Sequence, residues 1–227
     1  MTSNSEYDAF KARIEQACID IGLKCTAEQT KKLQDYVAAM HKWNKTYNLT
    51  AVRQPSQMLV QHVFDSMTPV PFLFDVVGSA QQPRLVCDVG SGGGLPGVVI
   101  AALAPAWAVQ CIDAVEKKTA FVRQMIGTLE LPNLKATHAR VEQLAEQNAD
   151  IVISRAFASL LDFATWSGKH VKEGGHLVAM KGKIPDDEIE ALQARTPWRV
   201  EHVQPLAVPE LNAQRCLVWM RRNEGNS

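Results

Sequence analysis

The run Asp88-Val-Gly-Ser-Gly-Gly-Gly-Leu-Pro-Gly97 holds the residue types that say most about chemistry. It follows the strand-like segment Arg84-Leu-Val-Cys-Asp-Val and precedes a helical stretch. Glycines at such a turn let the chain reverse sharply and let a ligand approach the backbone. Gly92, Gly94 and Gly97 satisfy the G-x-G-x-x-G spacing of nucleotide-binding loops, a pattern that alone does not choose its ligand. Two neighbours bias the choice. A dinucleotide wants free N–H groups at the helix N-terminus for its pyrophosphate. Pro96 removes one donor there, and Asp88 sets a negative charge where phosphate is repelled. S-adenosylmethionine carries no phosphate, and its ammonium and sulfonium tolerate a carboxylate. Asp113, at the end of the next strand, can accept from ribose hydroxyls in either case. The loop therefore favours S-adenosylmethionine over a dinucleotide, with a glycine turn that binds nothing as the least favoured reading.

Ligands in open α/β sheets lie beyond the carboxyl ends of the strands. Arg155 follows the fourth strand and points at the cleft or beside it; a plain surface arginine is the competing reading. Arg140-Val-Glu142 follows the third strand and would flank an adenine edge, where a backbone N–H suits a ring nitrogen. Absences narrow the acceptor. No Asn/Asp-Pro-Pro-Tyr/Phe segment follows the fourth strand, and no Pro-Cys pair offers a thiolate for covalent activation of a pyrimidine carbon. Guanine N7 carries a free lone pair and no proton, so its methylation asks for positioning rather than a general base. The segment His41-Lys-Trp-Asn-Lys-Thr-Tyr-Asn-Leu-Thr-Ala-Val-Arg53 has three cations, no acids, two aromatics and two asparagines. That mixture suits RNA phosphates and unstacked bases. Its structural alternative puts Trp43 and Tyr47 in the core and the asparagines at a helix end. Lys42, Asn44, Lys45, Tyr47, Asn48 and Arg53 are the substrate candidates within it. His62, Asp65 and Ser66 share one helix face, read as a polar face docked on the cofactor domain rather than a hydrolytic triad. His62, Arg123 and Lys181 complete the substrate-side set.

These residues need a scaffold. Phe10, Ile14, Ala17, Cys18 and Ile21 recur at helical spacing. Thr26 with Gln29 resembles a capping box before a second helix carrying Leu33, Tyr36, Val37 and Met40. Pro55 sits well as the first residue of a third helix. From Arg84 the pattern becomes alternating: strands at 84–89, 108–113, 134–138, 150–154 and 175–181, with helices at 94–104, 116–129 and 159–171. Two more strands, 199–204 and 215–220, have no obvious helix between them and read as a hairpin. The expected fold is α/β, Rossmann-like: a mostly parallel seven-stranded sheet with an antiparallel last strand, under a small N-terminal helical cap. Residues 1–78 form the cap and 79–227 the sheet domain, together one unit.

Composition agrees with one large globular domain of 227 residues, 46% hydrophobic. Twenty-four Lys plus Arg balance twenty-four Asp plus Glu, which argues against polycation-like nucleic-acid binding but not against a local basic face. The five cysteines are odd in number and include no C-x-x-C pair, so neither a disulfide framework nor a zinc site is indicated, and no metal is expected. No secretory signal is visible. The uncharged stretch Val89–Ile112 reads as a buried α/β segment rather than a membrane span. A cytoplasmic monomer is the default.

The order and spacing of four segments resemble a known family. They are His41-Lys-Trp-Asn-Lys-Thr-Tyr-Asn-Leu-Thr50, His62-Val-Phe-Asp-Ser66, the Asp88–Gly97 loop and Ile153-Ser-Arg-Ala-Phe-Ala-Ser159. From about residue 30 to 190 the chain resembles the bacterial small-subunit ribosomal RNA methyltransferase G family (RsmG, also called GidB). The resemblance implies a class I methyltransferase fold and methyl transfer from S-adenosylmethionine to N7 of the guanine conventionally numbered 527 in 16S rRNA, leaving S-adenosylhomocysteine. It implies cofactor contacts at Gly90, Leu95, Val141, Glu142 and Arg155, beside the Asp88, Gly92 and Asp113 expected from the loop. It gives Arg155 a positioning role in catalysis, and 16S rRNA as partner, in the 30S subunit or an assembly intermediate. It associates loss of activity with low-level streptomycin resistance. The alternative is a methyltransferase of the same fold acting on another RNA or a small molecule.

Overall fold

The structure, a computed structural model, describes residues 4–155 and 157–223. The N-terminal part is helical. Helix α1 (Asn4–Asp20) buries Phe10, Ile14, Ala17 and Cys18 along one stripe. Helix α2 (Ala27–Tyr47) starts at Thr26, whose hydroxyl accepts from the Gln29 N–H while the Gln29 side chain accepts from the Thr26 N–H. This reciprocal pair is the expected capping box. The expected Leu33, Tyr36, Val37 and Met40 face is buried. Pro55 takes the first position of α3 (Pro55–Met58), which runs on through a π-helical stretch, Leu59–Phe64, into α4 (Asp65–Met67). Helix α5 (Val70–Val77) then ends at Gly78, whose φ is 106°.

The sheet follows. Strands β1 (Arg84–Val89), β2 (Trp107–Asp113), β3 (Leu134–His138), β4 (Ala149–Ser154) and β5 (Val171–Lys181) are parallel. Helices α6 (Gly97–Leu103), α7 (Glu116–Thr128) and α8 (Leu160–Ser167) connect them. Helix α9 (Asp186–Arg195) leads to β6 (Trp198–Leu206), and β7 (Arg215–Arg222) returns antiparallel between β5 and β6. The order is β3-β2-β1-β4-β5-β7-β6. The seven strands and the terminal hairpin match the sequence reading. One apolar cluster unites α1, α2 and the Leu59–Leu73 helices with α6, α7 and one face of the sheet; a second lies on the other face with α8 and α9. The cap therefore shares its core with the sheet.

Three expectations need correction. Helix α6 starts at Gly97, not Gly94, because the turn continues through Gly94, whose φ is 90°. Helices α5 and α9 were not foreseen. The run Val-Pro-Phe-Leu-Phe-Asp-Val-Val is short and apolar but for Asp75, so it does not stand out as a helix, and α9 buries only Leu192. Cys18 and Cys25 are joined as a disulfide, their Cα atoms 6.5 Å apart. The chain reverses between them at Gly22, and the Leu23 N–H reaches back to the Cys18 carbonyl, closures that spacing alone did not reveal. The other three cysteines are reduced and buried. Among the described residues no helix is long and apolar enough to cross a membrane, and no group of three or more His, Cys, Asp or Glu side chains could hold a metal ion.

Candidate active site

The glycine loop runs from the end of β1 to the start of α6. Its backbone is pinned to β2: the Gly90 N–H donates to the Ile112 carbonyl at 2.8 Å, and the Gly92 N–H to Asp113 Oδ2 at 2.8 Å. Two positions tolerate no side chain. At Gly94 an added Cβ would sit 2.5 Å from Val98 Cγ2 and 2.9 Å from Val122 Cγ2. At Gly97 it would press on Cys111 Sγ and lie 2.9 Å from Asp88 Oδ2. Helix α6 can approach the sheet so closely because Gly97 carries no side chain, and the loop packs against α7 because Gly94 carries none.

Asp88 is fully buried, and its Oδ2 accepts from the Gly97 N–H at 2.7 Å. Burial is the main force that pushes its carboxyl up to about 7, against the opposing pull of the Gly97 N–H and of Arg155. Only Oδ2 is engaged in this way; Oδ1 is buried without a partner among the described residues. With no surface of its own Asp88 caps α6 from inside. The first N–H of α6 is thereby occupied, so that helix end is not open for a pyrophosphate. The bias against a dinucleotide gains a geometric basis.

Asp113 sits at the tip of β2. Its Oδ2 serves Gly92 and its Oδ1 accepts from the Val115 N–H at 2.8 Å. Each carboxylate oxygen can accept twice, so capacity remains for a sugar hydroxyl. Beside it opens a cavity of about 330 Å³. Val89, Gly90, Asp113, Val141, Glu142 and Phe157 are in its wall. The expected cofactor residues Gly90, Asp113, Val141 and Glu142 are thus brought together. The Val141 carbonyl is held by His170 Nε2 at 2.9 Å and the Glu142 carbonyl by Lys169 at 2.8 Å, which fixes this turn. Trp166 also lines the cavity, is 47% exposed and meets Phe157 edge-on. Gly92 and Leu95 do not line it; the Leu95 side chain is sealed in the core. The cavity suits an uncharged nucleoside, with apolar walls for a base and a carboxylate for ribose.

Arg155 does not line that cavity. It lines a second one of about 290 Å³, with Gln61, His62, Asp65, Lys181 and Arg215. Its Nη1 donates to the Gln61 carbonyl at 3.2 Å and to Asp65 Oδ2 at 3.1 Å. Ala156 lies outside the described residues. His62 pairs through Nε2 with the Thr50 hydroxyl at 2.8 Å. Burial first, and then the Arg155 charge, lower its pKa to about 4, so it is neutral at pH 7. The expected docking of the His62–Ser66 face occurs through Asp65.

The Lys42–Arg53 segment divides. Asn44 is 2% exposed; its Nδ2 donates to the Val52 carbonyl and its Oδ1 accepts from the Thr50 N–H, both at 2.9 Å. Its expected substrate contact is corrected: it braces the loop, since a buried amide must satisfy itself internally. Asn48 takes the left-handed conformation that ends α2, at φ 49°, and accepts from Arg53 Nη2 at 3.0 Å. Trp43 packs against Phe121 and Tyr47. Lys42, Lys45, Tyr47 and Arg53 are exposed, as is Arg123 on α7. Lys181 is mostly enclosed, paired with Glu188 at 2.8 Å and donating to the Phe157 and Ala158 carbonyls. It holds the segment after β4, which corrects its reading as a free phosphate contact.

Sequence reasoning missed Phe157, Trp166 and Arg215 as cavity-lining residues. Arg215 opens a strand whose place beside β5 is fixed only by topology, and Trp166 reads as an ordinary apolar helix residue.

The strand order with its antiparallel β7, the internally capped glycine loop and the nucleoside-sized cavity beside Asp113 define the class I methyltransferase architecture. A SAM dependent methyltransferase from Aquifex aeolicus shares that fold, with a TM-score of 0.54 at 16% identity over 74% of this chain and 93% of that one. The family model for rRNA small subunit methyltransferase G (GidB) matches residues 29–218. The ribosomal RNA small subunit methyltransferase G of Bordetella avium is 59% identical over 225 residues, 99% of each chain. That of Acidovorax sp. (strain JS42) is 48% identical over 220 residues, 94% of this chain and 96% of the relative. The chain belongs to the rRNA small subunit methyltransferase G (GidB) family.

Proposed function

We propose that the chain transfers a methyl group from S-adenosylmethionine to N7 of the guanine numbered 527 in 16S rRNA, in the 30S subunit or an assembly intermediate. One observation carries this reading. Arg155 lines the cationic cavity and Phe157, two residues on, lines the nucleoside cavity. Donor and acceptor sites thus share the short segment after β4, the side of an open α/β sheet where ligands bind.

Asp113 holds the ribose of the cofactor, Val141 and Glu142 the adenine, and the Gly90–Gly97 loop with Asp88 the methionine end. When bound, the cofactor supplies an electrophilic methyl on its sulfonium. Guanine N7 needs no proton removed, so the protein's task is alignment and exclusion of water. With its pKa lowered to about 4 and its Nε2 tied to the Thr50 hydroxyl, His62 is a weak base, which suits a site that needs none. The base leaves its stack to reach the cleft. Lys42, Lys45, Tyr47, Arg53 and Arg123 are the exposed groups offered to the surrounding RNA. A ribosomal substrate implies a cytoplasmic enzyme, acting as a monomer.

Incubation with radiolabelled S-adenosylmethionine and small-subunit particles lacking the modification tests the reading. Label is expected in 16S rRNA; protein that binds the cofactor yet labels no RNA would overturn it.

A further inference from the structure

We propose that Arg215 is a second cationic contact to a backbone phosphate of the acceptor RNA, and that buried Asp65 is the positioning residue that aims Arg215 and Arg155 together. This rests on the RNA-acceptor reading above.

The three groups come from distant parts of the chain. Arg155 follows β4. Arg215 opens β7, which runs antiparallel to β5, so Cys216 lies opposite Lys181 and Arg215 stands level with the carboxyl end of β5. Asp65 reaches over from the cap. Its Oδ1 accepts from Arg215 Nε at 2.8 Å and its Oδ2 from Arg155 Nη1 at 3.1 Å. Its side chain is only 6% exposed, whereas those of Arg155 and Arg215 are 26% and 28% exposed. The acid faces inward and the cations face the cavity.

The charges do not cancel. One carboxylate serves two guanidinium groups, and Lys181, in the same wall, is matched by Glu188. An excess positive charge therefore faces the cavity. Arg155 is engaged through Nη1, and Arg215 through Nε and, on the Gln214 carbonyl, Nη1. Both Nη2 groups lack an acceptor among the described residues. A staple between cap and sheet needs one arginine; two from different strands, held by one acid, form a two-point clamp for an anion. Arginine commonly reads guanine through O6 and N7. Here N7 must stay bare, so the phosphodiester is the group left for the clamp.

The test uses the full chain with unmethylated 30S particles. Arg215→Gln should weaken particle binding about tenfold and lower the slope of log K against log salt by about one, the signature of a lost phosphate contact. Arg215→Lys should restore the slope. Asp65→Asn should act in the same direction, raising KM for the particles more than it lowers kcat. The double variant should be little worse than the worse single one, because the two act as a unit. Affinity for S-adenosylhomocysteine of Arg215→Gln should match wild type, while its melting temperature falls because Asp65 Oδ1 loses its partner. An unchanged slope with unchanged particle affinity would overturn the proposal. So would a fall in cofactor affinity with the slope intact, which would assign the arginines to the cofactor's carboxylate. Wild-type protein that binds particles but labels no RNA would remove the methyl-transfer reading alone, with the slope still deciding Arg215.

Discussion

At the scale of single residues, the site divides groups that face the cavities from groups that hold them in place. Asn44 and Lys181 belong to the second kind: each spends its hydrogen bonds on the protein's own backbone or on a neighbouring acid, while Asp88 engages Gly97 through Oδ2 and keeps Oδ1 without a partner among the described residues. Arg155 belongs to the first. It lines the cationic cavity, two residues before Phe157 in the wall of the other, and is tied to the cap by Asp65. Misplacing reacting groups by about 1 Å can cost about 100-fold in rate. Arg155→Ala should accordingly lower kcat/KM for methyl transfer by about 100-fold, with a circular dichroism spectrum like that of wild type. Turnover within a fewfold of wild type would remove Arg155 from the mechanism. The residue types of the site were legible because few chemistries need an acid, a glycine turn and a second acid one strand later. The division of labour was not. Burial and hydrogen-bond partners decide whether an asparagine braces a loop or meets RNA, and these follow from packing that the chain order does not display.

At the scale of elements, the junction of β1 with α6 carries the most unusual electrostatics. A carboxyl that titrates near 4 in an unfolded chain is raised to about 7 here. Between these values the native protein keeps a proton that the unfolded chain has released. This contribution to stability therefore falls as pH rises from about 4 to about 7, then levels off. Asn can accept from the Gly97 N–H without burying a charge. Asp88→Asn should thus gain melting temperature relative to wild type as pH rises across that window, by about 2–4 °C for each 1 kcal/mol. Parallel curves for the two proteins would show that no buried ionisation is at work. The alternating strands and helices were legible because β-branched runs and glycine turns mark them. Helix α5 was hidden in a short, almost wholly apolar run, and α9 by a surface so polar that tertiary contact, not amphipathicity, keeps it in place.

At the scale of the molecule, cap and sheet share an apolar cluster that runs from Phe10 through Met40 and Phe64 to Val98 and Phe121. Removing the cap would expose the α6 and α7 face to water. The chain should therefore melt in one transition, with equal calorimetric and van't Hoff enthalpies, and a fragment of residues 79–227 should not hold a native fold. Two resolved transitions would contradict this. The shared core also bears on function, because the cap's Asp65 and the sheet's arginines keep their alignment only while the two parts move together. The most direct test of the account is to map the methyl group itself. Small-subunit particles lacking the modification, incubated with the protein and labelled S-adenosylmethionine, should carry one new methyl at N7 of guanine 527 of 16S rRNA. Label at another position, or confined to protein or small molecules, would contradict it.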